Sequence, residues 1–268
     1  MTVHPVETLD LPELAPYRTL RRPLEHYQQG IFIAEGEKVV RRLLDSGLVV
    51  VTMLMTPEWF EHFRPLAETR PLTVYLASRA LCETIVGYSL HQGIMAIARI
   101  PAPTALERLL APEREDLLLV ALDDLEHAEN VGVVARNCAA FGADGILVGE
   151  TSSSPWLRRA VRNSMGAVFR MPVVPVDDLA ACIAGPLRAH GVVTIAAHPH
   201  ETRSLHDWQM PRRMCVVLGN EGLGVSAKIL RACDERVSIP MANDIDSLNV
   251  ASASAVFLAE IVRRRRMS

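Results

Sequence analysis

The 268-residue sequence has no apolar run approaching the ~20 residues that span a bilayer, so no membrane helix is expected. Its opening, Met1-Thr2-Val3-His4-Pro5-Val6-Glu7, lacks the basic-then-apolar pattern of a secretory leader, and a cytoplasmic location is expected. Cysteine is sparse: Cys82, Cys138, Cys182, Cys215 and Cys233 are widely scattered, and no two have the spacing of a zinc or redox pair. Most stand among apolar neighbours, as small core residues do. His198, Pro199, His200 and His206 invite a metal reading, but a proline between two histidines and no nearby cysteine weigh against it. No metal is expected. Internal repeats and low-complexity tracts are also missing.

Positive charge is lacking overall, the formal net charge being −3, which does not advertise a nucleic-acid binder. The arginines are nevertheless gathered, at Arg18, Arg21 and Arg22, at Arg158, Arg159 and Arg162, at Arg212 and Arg213, and at Arg263 to Arg266. Acids gather between Glu113 and Glu129. A local basic face can survive a mildly acidic average. The run at Arg263 equally suits the C-terminal end of a helix.

What is present is an ordinary globular balance, 49% apolar and 22% charged, arranged as alternating strand-like and helix-like stretches. Residues 31–34, 48–55, 73–77 and 93–100 read as strands. Helices are expected over 35–46, where Val39, Val40, Leu43 and Leu44 recur at helical spacing, over 57–68, and from 78 to about 86. This is a small α/β unit. Ile100-Pro101-Ala102-Pro103-Thr104 then stiffens the chain and forbids a continuing helix. The expected organisation is an N-terminal domain over 1–100 with its core at 31–99, a linker over 101–115, and a second domain over 116–268. In that second domain strands recur at 117–122, 145–148, 192–196, 215–218 and 237–239, with helices between most of them. Such alternation predicts a mainly parallel sheet covered on both faces.

Three blocks sit where an apolar strand gives way to a turn or helix, the edge at which open α/β sheets bind ligands. The first is Asn130-Val131-Gly132-Val133-Val134-Ala135-Arg136, with Asn130 placed as an N-cap and Gly142 ending the helix. Its buried stripe is expected to be Val133, Val134, Cys138 and Phe141. Arg136 lies among these apolar and small residues, where it either serves a site or pairs with an acid between helices. The second block is Leu218-Gly219-Asn220-Glu221-Gly222, whose only charge is Glu221. It lacks the Lys-Ser/Thr ending of a P-loop. Gly222-Leu223-Gly224-Val225-Ser226-Ala227 fits the loose dinucleotide pattern, but Gly219-Asn220-Glu221 separates it from its strand and spoils the tight turn. The third block runs from Ile239-Pro240-Met241 through a polar turn at Ala242-Asn243-Asp244 to Ser247-Leu248-Asn249. Asp246 or Ser247 can cap the following helix, whose apolar face would be Val250, Ala253, Phe257, Leu258 and Ile261.

In this order and spacing the three blocks resemble the signature motifs of the SpoU (TrmH-type) RNA 2′-O-ribose methyltransferases, across residues 117–265. Arg159-Ala160-Val161-Arg162-Asn163-Ser164-Met165-Gly166-Ala167 resembles a family segment too. Residues 31–99, with Ala34-Glu35-Gly36 and His91-Gln92-Gly93-Ile94, resemble the small substrate-binding domain many members carry. The resemblance implies an α/β SPOUT fold, a mainly parallel sheet whose C-terminal part is tied in a trefoil knot. Threaded chains are otherwise nearly absent, and no sequence pattern yields one by itself. It implies S-adenosylmethionine as methyl donor, held chiefly by backbone groups of Leu218, Gly219, Asn220, Gly222, Ile239, Met241, Leu248 and Asn249. It implies a homodimer with each active site at the subunit interface.

Carried over, Arg136 matches the family's catalytic arginine, Asn130 and Glu221 would position it or the ribose, and Ser247 and Asn249 the substrate and loop. The expected reaction is in-line attack of a ribose 2′-hydroxyl on the sulfonium methyl, which requires alignment and removal of one proton. An arginine is a poor general base, its pKa exceeding about 12, so positioning of the adjacent phosphate is the favoured role. The separate N-terminal domain tilts the expected substrate toward ribosomal rather than transfer RNA. A catalytically silent RNA-binding protein of the same fold would show damaged motifs, and Asn130, Arg136, Glu221, Ser247 and Asn249 are all present.

Overall fold

In a computed structural model the protein is described over residues 1–86, 93–111, 113–199, 201–243 and 245–267. His91 and Gln92, His200 and Asp244, all named above, lie outside the described residues. The chain divides into two compact units, Met1–Pro101 with Trp156–Phe169, and Ala102–Pro155 with the residues from Arg170 onward.

The first unit is built on five strands, β1 (Thr2–Val6), β2 (Ile31–Glu35), β3 (Val50–Met55), β4 (Thr73–Ala77) and β5 (Ile94–Arg99). They lie in the order β1-β4-β3-β5-β2, with β1, β4 and β3 parallel and β5 antiparallel to both its neighbours. The four expected strands are found. The fifth, β1, carries a proline and little buried surface, and as an edge strand it tolerates both. The helix Glu37–Leu44 buries Val39, Val40, Leu43 and Leu44 as its spacing predicts. Residues 156–169 return from the second half of the sequence to pack on β2. Phe32 lies 5.2 Å from the Trp156 ring and 5.5 Å from Phe169. Arg158 Nη1 donates to Glu35 Oε2 at 2.6 Å, and both side chains are largely buried. That arginine cluster is thus partly spent on the fold.

The second unit carries β6 (Leu117–Leu122), β7 (Gly145–Val148), β8 (Val173–Pro175), β9 (Val193–Ala197), β10 (Arg213–Leu218) and β11 (Glu235–Val237). The order is β11-β9-β10-β6-β7-β8, and every neighbouring pair is parallel. All six residues of β6 are buried, as expected of a parallel strand covered on both faces. β8, three residues at the sheet edge, is too short to announce itself in sequence. Cys182 and Cys215 join the core with Leu119, Leu147, Ile183 and Val217. Burial pushes the Cys182 thiol up to about 11. From β6 the chain moves through β7 to β8 on one side, then crosses to β9 and inserts β10 between β9 and β6. A parallel sheet that changes direction in this way leaves a crevice at the carboxyl ends of the strands beside the switch.

Candidate active site

That crevice is a cleft of about 550 Å³, a size suited to a small organic cofactor. Ala197, His198 and Pro199 enter it from the end of β9, and Leu218 to Gly224 from the end of β10. Ile239 and Met241, then Asp246, Ser247 and Leu248, line it beyond β11, and the C-terminal helix adds Val250, Ala253 and Phe257.

The loop after β10 is shaped by its own backbone. A Cβ on Gly219 would stand 2.1 Å from the Val225 nitrogen and 2.2 Å from the Gly224 carbonyl carbon, so only glycine fits. Asn220 and Gly224 exchange backbone hydrogen bonds of 3.0 and 2.9 Å, closing the loop. The Asn220 side chain accepts from the Gly222 and Leu223 amides at 2.8 and 3.0 Å. Its Nδ2 donates to the Asp124 carbonyl at 3.0 Å, tying the loop to the turn after β6. The buried Asp123 carboxylate accepts from the Ser226 amide at 2.6 Å and fixes the far end.

Glu221 leaves this loop toward the helix Ala128–Phe141. Its Oε1 accepts from Asn130 Nδ2 at 2.9 Å and from the His127 amide at 3.3 Å. Asn249 Nδ2 in turn donates to Asn130 Oδ1 at 3.3 Å, so one residue from each of the three blocks joins a single chain of hydrogen bonds. Burial raises the Glu221 carboxyl, but the Asn130 amide and the backbone amides of Glu221 and His127 outweigh it and hold the group below its ordinary range. The carboxylate is therefore ionised at neutral pH.

Three local expectations are corrected. Asn130 is not the N-cap: the helix starts at Ala128 with His127 as its cap, and the Asn130 side chain is committed to Glu221 and Asn249. The buried face is accordingly Val131, Gly132, Val134, Ala135 and Cys138, with Val133 and Phe141 only partly covered. The C-terminal helix, Val250–Arg265, is capped by neither Asp246 nor Ser247 but by Asn249, whose Oδ1 accepts from the Ala251 amide at 2.9 Å. Gly142 does end its helix, at φ +71°.

Of the residues singled out from sequence, Leu218, Gly219, Asn220, Glu221, Gly222, Ile239, Met241, Ser247 and Leu248 all line the cleft. Asn130 and Asn249 stand behind it, bonded to Glu221 directly and in sequence. Arg136 does not reach it. Six residues on from Asn130, it lies about 9 Å farther along the helix and a third of a turn away. It is exposed and has no hydrogen-bond or ion-pair partner among the described residues. Sequence reasoning missed Asp123, Asp124 and His127 as braces, and His198 and Pro199 as lining. The last two follow a strand end, which alone was a signal.

The lining suits a cationic, partly apolar ligand. Its carboxylates are Glu221 and Asp246, no lysine or arginine lines it among the described residues, and Leu218, Ile239, Leu248 and Phe257 supply apolar surface. This fits S-adenosylmethionine, a sulfonium with an aromatic base. The model of the SpoU rRNA methylase family matches residues 117–259, more than half of the chain. A tRNA/rRNA methyltransferase of Mycobacterium bovis is 31% identical over 267 residues, covering 95% of this chain and 90% of that protein. The solved structure of an S-adenosylmethionine-bound rRNA methyltransferase from Sinorhizobium meliloti is similar with a TM-score of 0.85 at 27% identity, over 99% of both chains. That of an RNA 2′-O ribose methyltransferase is similar with a TM-score of 0.79 at 25% identity, over 99% of this chain and all of the other. The parallel sheet, the cleft at its switch point and these likenesses agree: the chain belongs to the SpoU family of RNA methyltransferases and uses S-adenosylmethionine as its methyl donor.

Proposed function

We propose that the protein methylates a ribose 2′-hydroxyl in RNA, ribosomal rather than transfer RNA, as a cytoplasmic homodimer whose C-terminal segment is knotted. The observation that carries this reading is the chain Glu221–Asn130–Asn249, which brings the three blocks to one cleft with no lysine or arginine lining it among the described residues. The likeness to a 2′-O ribose methyltransferase over almost the whole length supports the hydroxyl, and that to an rRNA enzyme supports the RNA class. Insertion of β10 between β6 and β9, with the segments following β10 and β11 lining one cleft, supports the knot.

S-adenosylmethionine, when bound, supplies an electrophilic methyl group. The protein must supply alignment and a route for the hydroxyl proton. Glu221 fixes Asn130, and Asn130 fixes Asn249 at the start of the C-terminal helix, so the polar edge of the cleft is pre-set. The cation comes from a second copy: Arg136 is exposed and outside the single-chain cleft, on a helix packed against Val250–Arg265. Ala139, Ala140, Phe141, Ala259 and Val262, with Arg263 and Arg266 beside them, leave a groove along these two helices whose apolar part suits self-association. There Arg136 of the partner subunit orients an RNA phosphate, which accepts the proton.

The test is methyl transfer from labelled S-adenosylmethionine into separated rRNA and tRNA, followed by alkaline hydrolysis. Label in an alkali-resistant dinucleotide of rRNA is expected, because a methylated 2′-oxygen cannot cleave its own phosphodiester. Label in a base would overturn the ribose assignment, and label in tRNA alone the RNA class. Arg136→Lys should retain measurable transfer, since a lysine still places a charge on phosphate. Its complete loss would count against the positioning role.

A further inference from the structure

Methyl transfer changes the charge of the donor. The sulfur of S-adenosylmethionine is a cation, whereas the spent product, S-adenosylhomocysteine, is a neutral thioether of nearly the same shape, the positive charge leaving with the hydroxyl proton. Both carry the same adenine, ribose and amino-acid end, so backbone groups and apolar surface hold the two alike. Apart from the methyl itself, charge is what tells them apart.

The cleft beyond β9 and β10 can read that difference. Its carboxylates are Glu221 and Asp246, and no lysine or arginine lines it among the described residues. These two acids differ in what already holds them. Glu221 is half-buried and accepts from Asn130 Nδ2 and the His127 amide, so its charge is answered by the protein. Asp246 is exposed and has no hydrogen-bond or ion-pair partner among the described residues. It also lines an adjoining cavity of about 570 Å³, where it meets a third acid, Glu201. Glu201 is engaged as well, with Arg236 at 3.5 Å and His198 at 3.9 Å. Asp246 therefore brings an uncommitted negative charge to the cleft.

Its place in the chain sets that charge near the reacting atoms. Ser247 follows it directly, and Asn249, three residues on, bonds to Asn130 and through it to Glu221. In-line transfer needs the sulfur within reach of the hydroxyl that this polar edge aligns. A carboxylate beside Ser247 then stands close to the sulfur.

We propose that Asp246 is a specificity-determining residue: its carboxylate compensates the sulfonium and gives the cleft its preference for donor over spent product. The inference rests on the reading of this cleft as the seat of S-adenosylmethionine and adds to it the side chain that discriminates. Water and salt screen so exposed a pair and keep the preference modest. Modesty suits turnover, since strong pairing would stabilise the sulfonium in its ground state and slow transfer.

The experiment is titration calorimetry of the full-length protein with S-adenosylmethionine, with S-adenosylhomocysteine, and with sinefungin, in which an ammonium replaces the sulfonium. In Asp246→Asn the affinity for S-adenosylmethionine should fall about fivefold, as expected of one screened charge pair. Sinefungin should follow it, while S-adenosylhomocysteine binds as it does to wild type. Asp246→Glu should restore part of the preference, and added salt should narrow it in wild type. Equal weakening toward donor and product would overturn the proposal, placing the carboxylate on the ammonium that both share or on the shape of the segment. Unaltered affinity for all three ligands would overturn it too. Ala253→Leu separates this failure from that of the underlying reading, because it fills the cleft from the C-terminal helix with a good helix former. It should weaken all three ligands. Wild-type binding in that variant would mean that the ligands sit elsewhere, and would overturn the cleft together with Asp246.

Discussion

The two loops that line the cleft are held in different ways. The loop from Gly219 to Ser226 is closed by reciprocal backbone bonds between Asn220 and Gly224, stitched by the Asn220 side chain, and anchored by Asp123 and Asp124. The segment from Ile239 to Asn249 has far less. Among its described residues, Ile245 bonds weakly to the Ala242 carbonyl at 3.4 Å, and Asn249 provides the cap and the link to Asn130. Ile245, Ser247 and Leu248 are exposed. One side of the site is therefore built before any ligand arrives, while the other is free to settle on it. Preorganisation of the first lowers the ordering cost of binding; the second carries what cost remains.

The largest expected effect breaks the braced loop. In Gly219→Ala the new Cβ would meet backbone, not a side chain that could swing aside. Overpacking against backbone sits at the upper end of its usual cost, about 3 kcal/mol. Thermal unfolding should show a lower Tm, and calorimetry should show S-adenosylmethionine binding lost. Normal cofactor affinity in this variant would mean that the loop is not the rigid partner in the comparison.

A smaller effect tests the contact by which the braced loop reaches the other blocks. Glu221→Gln keeps an oxygen for Asn130 and His127 and removes the charge. Charge-assisted hydrogen bonds exceed neutral ones, and partial exposure screens the difference, so about 1 kcal/mol of stability should be lost at neutral pH. The sign of the pH dependence follows from the depressed carboxyl. Its contribution is complete above the ordinary glutamate range and fades as pH falls through the lower, folded value. Urea unfolding should therefore show wild type and variant converging in acid. A gap that stays constant with pH would mean that the charge is not what matters.

The same contrast explains how much could be read from the sequence. Parallel strands announce themselves as continuous apolar runs, so β6, β7, β9 and β10 were legible within a residue or two. The edge strands β1 and β8, short or proline-bearing, were not. The three blocks were legible as neighbours because each follows a strand end, and Asn130, Glu221 and Asn249 do meet, while Arg136 stands apart. Their individual roles were not legible. Asn130 and Asn249 both have capping chemistry, and only packing decides that Asn249 caps while Asn130 turns to Glu221. Arg136 shows the limit most plainly: an arginine on an otherwise small and apolar helix stretch has the same sequence whether it points into its own cleft or out toward another molecule. The fate of the arginine clusters was equally hidden, since ion pairs such as Arg158–Glu35 span 123 positions.

The smallest expected effect concerns Ser247, on the loosely held side. Its hydroxyl lines the cleft and has no hydrogen-bond partner among the described residues. Since Asn249 does the capping, Ser247→Ala should leave stability within about 0.5 kcal/mol of wild type, whereas Asn249→Ala should cost about 1 kcal/mol through the lost cap. If Ser247 acts on substrate, its loss should appear in methyl transfer and not in the unfolding curve, while Asn249→Ala disturbs both. Equal destabilisation by the two substitutions would show that the segment from Ile239 to Asn249 is braced through Ser247 after all, and the contrast between the loops would disappear.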